Sequence, residues 1–245
     1  MPTKTIIVTG ARRGIGHACS ASLLRDGFNV TAVDIYPIPE TLTQYTNSCL
    51  PLTIDVSDLD ACRSAVTRTA EFFGSVDSVC HFAAIHSTDT WEEISSEKFL
   101  KVHEINVLGS FHIAKAAGEY MKSNGGGSIV LTSSGSVQAS GVGGGSGRGG
   151  PAYVTSKAAI YGLNRSLARA LGPHKIRVNT VSPGATSTPM IAEYSNSARE
   201  AAANRSMLGR IAEPDDVAEV AKFLISDAAR FVTGEVISVS GGGSV

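Results

Sequence analysis

A doubly wound α/β fold, a seven-stranded parallel sheet with helices on both faces, is what this 245-residue sequence predicts. Short apolar runs alternate with longer stretches of helical periodicity along nearly the whole chain. The run Thr5 to Thr9 (TIIVT) passes through Gly10-Ala11-Arg12-Arg13-Gly14-Ile15-Gly16 into a helical stretch from His17 to Asp26, giving strand, glycine turn and helix in succession. Val76 to Ala84 (VDSVCHFAA) is apolar almost throughout, the pattern of a parallel strand covered on both faces.

The remaining elements follow the same alternation. Phe28 to Val33, ending in Asp34, is the second strand, and Leu50 to Ile54, followed by Asp55-Val56, the third. Leu59 to Phe73 is an amphipathic helix closed by Gly74, and Val76 to Ala84 is strand four. Glu97 to Lys122 reads as one long helix and Gly127 to Ser134 as strand five. Ala158 to Leu171 continues a helix that begins around Tyr153, and Ile176 to Val181 is strand six. A helical segment from Met190 to Arg205, a helix from Pro214 to Ser226 and a seventh strand from Val236 to Val239 complete the chain. No Pro/Ser-rich linker or charge run divides it, so residues 1–245 are expected to form one domain.

Composition narrows the function classes. Hydrophobic residues make up 42%, charged residues 18%, and the net charge is −1. No basic excess exists to attract nucleic acid or an anionic membrane, so neither is expected as a partner. Cys19, Cys49, Cys62 and Cys80 form no C-x-x-C pair and share no metal-ligand spacing with the histidines. They read as core thiols, and no metal site is expected. The N-terminus carries no signal-peptide apolar core and no apolar run approaches membrane-spanning length, so a cytoplasmic location is expected.

The first half reads as a dinucleotide site. Glycines at 10, 14 and 16 let the backbone turn tightly and approach a pyrophosphate, whose charge meets amide N–H groups and the positive end of the helix dipole. Asp34, 18 residues after Gly16, is placed to accept hydrogen bonds from the adenosine ribose and to repel a 2′-phosphate. That favours NAD over NADP. Arg13 pulls the other way, since a guanidinium there could pair with a 2′-phosphate or simply be solvated. Asp55 lies at a strand's carboxyl end, where its side chain or the Val56 amide could contact adenine, or where it could cap the next helix.

The second half carries candidate chemistry. Tyr153-Val154-Thr155-Ser156-Lys157 sets a phenol and an ammonium four residues apart, on one face of a helix. A tyrosine of pKa about 10 becomes a useful base only if its phenolate is stabilised, and a neighbouring lysine supplies part of that. Ser134 ends strand five among hydroxyls, at the sheet edge where α/β folds bind ligands, and is placed to bond a substrate oxygen. Asn106, polar among Ile105, Val107 and Leu108, is inward-facing; it can satisfy backbone groups of the adjacent helix, fix a water beside the site, or do both. His81, within strand four, reads as structural; His86 and Trp91 follow in a loop that could line the pocket mouth.

Over essentially its whole length the sequence resembles the short-chain dehydrogenase/reductase family, in its compact branch. TGARRGIG matches that family's TGxxxGxG turn, Asn106 its helix asparagine, Ser134 its strand-end serine, and Tyr153 with Lys157 its YxxxK. The resemblance implies a Rossmann fold and cofactor contacts from Gly10, Arg13, Gly14, Ile15, Gly16, Asp34, Asp55, Val56, Ala83, Tyr153 and Lys157. Pro183, Gly184 and Thr188 would lie on the nicotinamide side, Thr188 at the carboxamide. It also implies a homotetramer or homodimer packed through the helices of Asn106 and Tyr153. The glycine spacing argues against the extended epimerase branch.

Three departures stand out. His81-Phe82-Ala83-Ala84 occupies the place of the family's Asn-Asn-Ala-Gly, with Phe82 and Ala84 positioned to reshape the cofactor's floor. Ser240 replaces an aspartate before the C-terminal glycines, where a subunit contact would change. Ser140 to Gly150 (SGVGGGSGRGG) lengthens the Ser134 to Tyr153 interval to 19 residues. Counting back from Tyr153 nominates Ser140 as the serine, whereas strand-end geometry favours Ser134. A lid that orders on substrate and an insertion without function both fit that composition.

The expected reaction is reversible hydride transfer between a secondary alcohol and its ketone, with NAD as cofactor. Tyr153 would be the acid/base, Lys157 would depress its pKa and hold the nicotinamide ribose, Ser134 would fix the reacting oxygen, and Asn106 would anchor a relay water. The rival of the same class is an NADPH-dependent reductase of 3-oxoacyl thioesters, favoured by Arg13 and opposed by Asp34. The rival of another class is a non-catalytic NAD-sensing module, which has no need of Ser134, Tyr153 and Lys157 together.

Overall fold

A computed structural model describes residues 3–139, 141–144, 149–192 and 194–243. Its elements in chain order are β1 (Thr5–Thr9), α1 (Gly14–Arg25), β2 (Asn29–Asp34), α2 (Glu40–Thr43), β3 (Cys49–Thr53), α3 (Leu59–Phe73), β4 (Ser78–His81) and α4 (Ser96–His103). After a π-helical turn at Glu104–Leu108 come α5 (Gly109–Ser123), β5 (Gly127–Thr132), α6 (Ser136–Ala139), α7 (Pro151–Leu171), β6 (Ile176–Pro183), α8 (Asn196–Arg205), α9 (Pro214–Ile225) and β7 (Val236–Val239). The strands form one sheet in the order β3-β2-β1-β4-β5-β6-β7, every pairing parallel. This is the doubly wound Rossmann fold.

Alternation along each strand builds two cores. Ile7, Val33, Val79, Ile129 and Val178 face α3, α5 and α7, where Val66, Ile113 and Ile160 meet them. Ile6, Val8, Ala32, Cys80 and Val130 face α1 and α9, against Leu23, Val217 and Leu224. Strands buried on both faces have no polar side to show, so they appear in the sequence as continuous apolar runs. All four cysteines are buried free thiols. Asp58 caps α3 by accepting from the amides of Asp60 and Ala61 at 2.8 and 3.1 Å, and Gly74 ends it in a left-handed turn at φ +86°. Among the described residues no helix is long and apolar enough to cross a membrane.

Several boundaries differ from expectation for identifiable reasons. Strand four ends at His81 rather than Ala84 because the Thr9 hydroxyl, not a backbone carbonyl, takes the Ala83 N–H at 3.2 Å. The stretch from Glu97 to Lys122 is not one regular helix: the π-helical turn interrupts it at Asn106, whose carbonyl also accepts from the Ser110 hydroxyl at 2.6 Å. Met190 to Arg205 divides into a 3₁₀ turn at Pro189–Ile191 and a separate helix, α8, capped by Ser195. β6 runs on to Pro183 because β7 pairs with it there, and α1 starts at Gly14, inside the glycine turn.

Candidate active site

The order of the sheet reverses between β1 and β4, and over the carboxyl ends of these strands opens a cavity of about 780 Å³. Gly10 turns at φ +70°, and a Cβ there would stand 2.9 Å from the Ala83 nitrogen. A Cβ on Gly16 would overlap the Gly10 carbonyl, so α1 presses its first turn directly onto the end of β1. Arg13 precedes α1 with no side-chain cap on its amides, and the first turn holds no acidic residue. That cradle of free N–H groups at a helix N-terminus suits a pyrophosphate. Gly14 faces Thr188 across the cavity, a Cβ there lying 3.3 Å from the threonine methyl. Ile15, Asp55, Val56, Ala83, Pro183 and Gly184 also line the cavity.

Asp34 lines one end of the cavity, its carboxylate accepting from the amides of Arg12 at 3.2 Å and Tyr36 at 3.1 Å. The Arg12 guanidinium lies 5.3 Å over the Tyr36 ring, so a cation and the Asp34 carboxylate border the same edge of the cavity. Arg13 lines the same cavity. Asp55 does not cap α3, which Asp58 does; its carboxylate instead accepts from the Ser57 amide at 2.9 Å and hydroxyl at 2.8 Å.

At the other end, Ser134, Tyr153 and Lys157 line the wall together. Burial pushes the Tyr153 phenol up to about 12, with a hydrogen bond from Ser134 pulling against it. Burial draws the Lys157 ammonium down to about 8. The ammonium donates to the Thr132 carbonyl at 3.0 Å and lies 5.9 Å from the centre of the Tyr153 ring. In the protein alone, desolvation of the phenolate outweighs the pull from Ser134. Asn106 is fully buried, accepting from the Ile85 amide at 2.9 Å and donating to the Ile85 carbonyl and the Ser156 hydroxyl, both at 3.0 Å. Its amide is taken up by protein groups, the first of the two expected uses.

The short-chain dehydrogenase model described as an enoyl-(acyl carrier protein) reductase matches residues 10–244. The chain belongs to the short-chain dehydrogenase/reductase family. It is similar to the 3alpha-hydroxysteroid dehydrogenase of Mediterraneibacter gnavus, 36% identical with 98% of this chain and 97% of that one covered. An L-rhamnose 1-dehydrogenase (NAD(P)(+)) of Azotobacter vinelandii is 35% identical, with 98% and 96% covered. Among solved structures, a short-chain type dehydrogenase/reductase from Mycobacterium ulcerans superposes with a TM-score of 0.88 at 30% identity, covering 98% of this chain and 90% of that one. The protein is thus an oxidoreductase of a family that uses nicotinamide cofactors.

Against that short-chain dehydrogenase/reductase pattern, the departures have local explanations. His81 shares a hydrogen bond with the Thr9 hydroxyl at 2.7 Å, and burial, helped by Lys157, draws its pKa down to about 3. It is a neutral ring that ties β4 to β1. Phe82 and Ala84 line the cavity, and so does Ser240, which packs against Gly184. Trp91 stands 76% exposed and is not among the cavity's lining residues, whereas His86 is, with its ring 4.5 Å from that of Tyr153 in an edge-on contact. Ser140 and residues 145–148 of the glycine-rich segment lie outside the described residues, so the lid expectation applies only to its flanks. There, Gly144 donates to the Thr88 carbonyl at 2.7 Å and Gly150 to the Ser87 carbonyl at 2.8 Å, which anchors the flanks to the loop after β4.

Sequence reading missed Arg12, Tyr36 and Tyr194. Arg12 and Arg13 are adjacent, and only the turn decides that Arg12 meets Tyr36. Tyr194 lines the cavity near Tyr153 from the segment before α8, within the stretch Met190 to Arg205 whose pattern singled out no site residue.

Proposed function

We propose that the protein interconverts a secondary alcohol, such as a polyol, sugar or hydroxy compound, and its ketone by hydride transfer, using NAD in preference to NADP. One observation carries the reading: Ser134, Tyr153 and Lys157 share a cavity with the glycine cradle of Gly10, Gly14 and Gly16. A nicotinamide ring held on the Thr188 side supplies the hydride acceptor or donor. Tyr153 takes the carbinol proton during oxidation and returns it during reduction, while Ser134 holds the same oxygen. Lys157 keeps a cation behind the phenol and reaches the nicotinamide ribose. Asn106 holds Ile85 and Ser156, and through them the two walls of the site, rather than presenting its amide to a relay water.

Asp34 supports NAD, because a carboxylate at the ribose repels a 2′-phosphate. The pair Arg12 and Arg13 supports the second reading, an NADPH-dependent 3-oxoacyl thioester reductase. Exposed Leu100, Leu108 and Phe111, around α4 and α5, support association into a homodimer or homotetramer. Initial rates on a panel of secondary alcohols and ketones, with NAD and NADP at equal concentration, test the reading. Turnover with NAD ahead of NADP is expected. Nucleotide binding without turnover of any panel member favours the non-catalytic sensing module.

A further inference from the structure

His86 has no part in the proton transfer outlined above, yet its backbone is pinned on both sides. Its predecessor, Ile85, is fixed at both backbone groups by the Asn106 amide. Its successor, Ser87, accepts from Gly150 at 2.8 Å. The imidazole stands edge-on to the Tyr153 ring, 4.5 Å between centres and 76° between planes, and it lines the cavity. Among the described residues no hydrogen bond engages its nitrogens. A half-buried imidazole held on rigid supports without a polar partner is a binding group waiting for a ligand atom.

The ligand atom follows from position. Tyr153 and Ser134 hold the reacting oxygen, and His86 flanks the same phenol, so it meets the part of a substrate next to the reacting carbon. We infer that His86 is a specificity-determining residue that hydrogen-bonds a second oxygen on the neighbouring carbon, so that the substrate is a vicinal diol or, in reverse, an α-hydroxy ketone. This rests on the alcohol dehydrogenase reading above. Burial, with Lys157 adding to it, lowers the imidazole's pKa, so the ring is neutral near pH 7 and offers one donor and one acceptor nitrogen. A neutral partner suits a hydroxyl better than a carboxylate.

The experiment compares 1,2-cyclohexanediol with cyclohexanol, in the wild type, His86→Phe and His86→Asn. Phenylalanine keeps a ring against Tyr153 and removes both nitrogens, and asparagine restores a donor and an acceptor. The wild type is expected to favour the diol, and His86→Phe to lose about 10- to 100-fold in kcat/KM on the diol with less than about 3-fold on cyclohexanol. His86→Asn should recover part of the diol activity. Equal wild-type rates on both probes, or an equal loss on both in His86→Phe, overturn the inference and leave the dehydrogenase reading standing. Turnover of neither probe by the wild type also overturns the inference, and the dehydrogenase reading then falls only if no member of the wider panel above is turned over.

Discussion

Gly149 and Tyr153 fit against each other with no room for a single added carbon: a Cβ on Gly149 would overlap Cδ1 of the Tyr153 ring. His86 also borders the phenol, its ring edge-on with 4.5 Å between centres. The glycine-rich segment thereby sets the position of the ring that stands over the site.

Gly149→Ala isolates that contact, because the backbone at Gly149 is not in the left-handed region and alanine brings no conformational strain of its own. Displacing the phenol should lower kcat about 10- to 100-fold while NAD affinity stays within about 3-fold. Steady-state kinetics and a fluorescence titration of NAD check this; an unchanged kcat would mean that the ring tolerates the shift.

Lys157 predicts a pH-dependent stability. Its pKa falls from 10.5 in the unfolded chain to about 8 in the folded one, so below pH 8 both states are protonated and the cost of burying the charge is fully present. Between pH 8 and 10.5 the unfolded state binds more protons and stability rises with pH. Lys157→Met never carries that cost. It should be inactive yet more stable than the wild type at pH 7, by on the order of 2 kcal/mol, with the gap narrowing by pH 9.5. Urea unfolding at the two pH values measures it. Tyr153, raised from 10 to about 12, favours the folded state fully below pH 10 and loses that contribution only above it, outside this window.

Asn106→Ala strands both Ile85 backbone groups and the Ser156 hydroxyl in a buried place. A loss of about 2–4 kcal/mol in urea unfolding is expected. A loss below about 1 kcal/mol would show that water replaces the amide.

Asp34→Asn removes the charge and keeps one of the two oxygens, an acceptor for either the Arg12 or the Tyr36 amide but not for both. Calorimetric titration should show NADP binding strengthened about tenfold and NAD weakened, and Arg12→Ala in the same background should reverse the NADP gain. Unchanged NADP affinity in Asp34→Asn would remove Asp34 from the choice between the two cofactors.

Much of this was legible in the chain, for reasons that differ by residue. β1, α3 and β7 have the boundaries their apolar patterns and caps dictate, since Asp58 and Gly74 act locally. The Tyr153 and Lys157 pair follows from helical spacing alone. The interruption at Asn106 was not legible, because an extra residue in a helical turn leaves the apolar pattern on either side intact. Nor could the sequence say that Arg12 rather than Arg13 stacks on Tyr36, or that Lys157 spends its proton on the Thr132 carbonyl. These depend on contacts between segments far apart in sequence.

The most direct test is Tyr153→Phe, which removes one oxygen from a buried ring and leaves the packing against Gly149 and His86 in place. The account predicts NAD affinity within about 3-fold of the wild type and a fall in kcat of about 10³-fold or more. Turnover within about tenfold of the wild type, with NAD bound, would contradict it and move the acid/base role to another group.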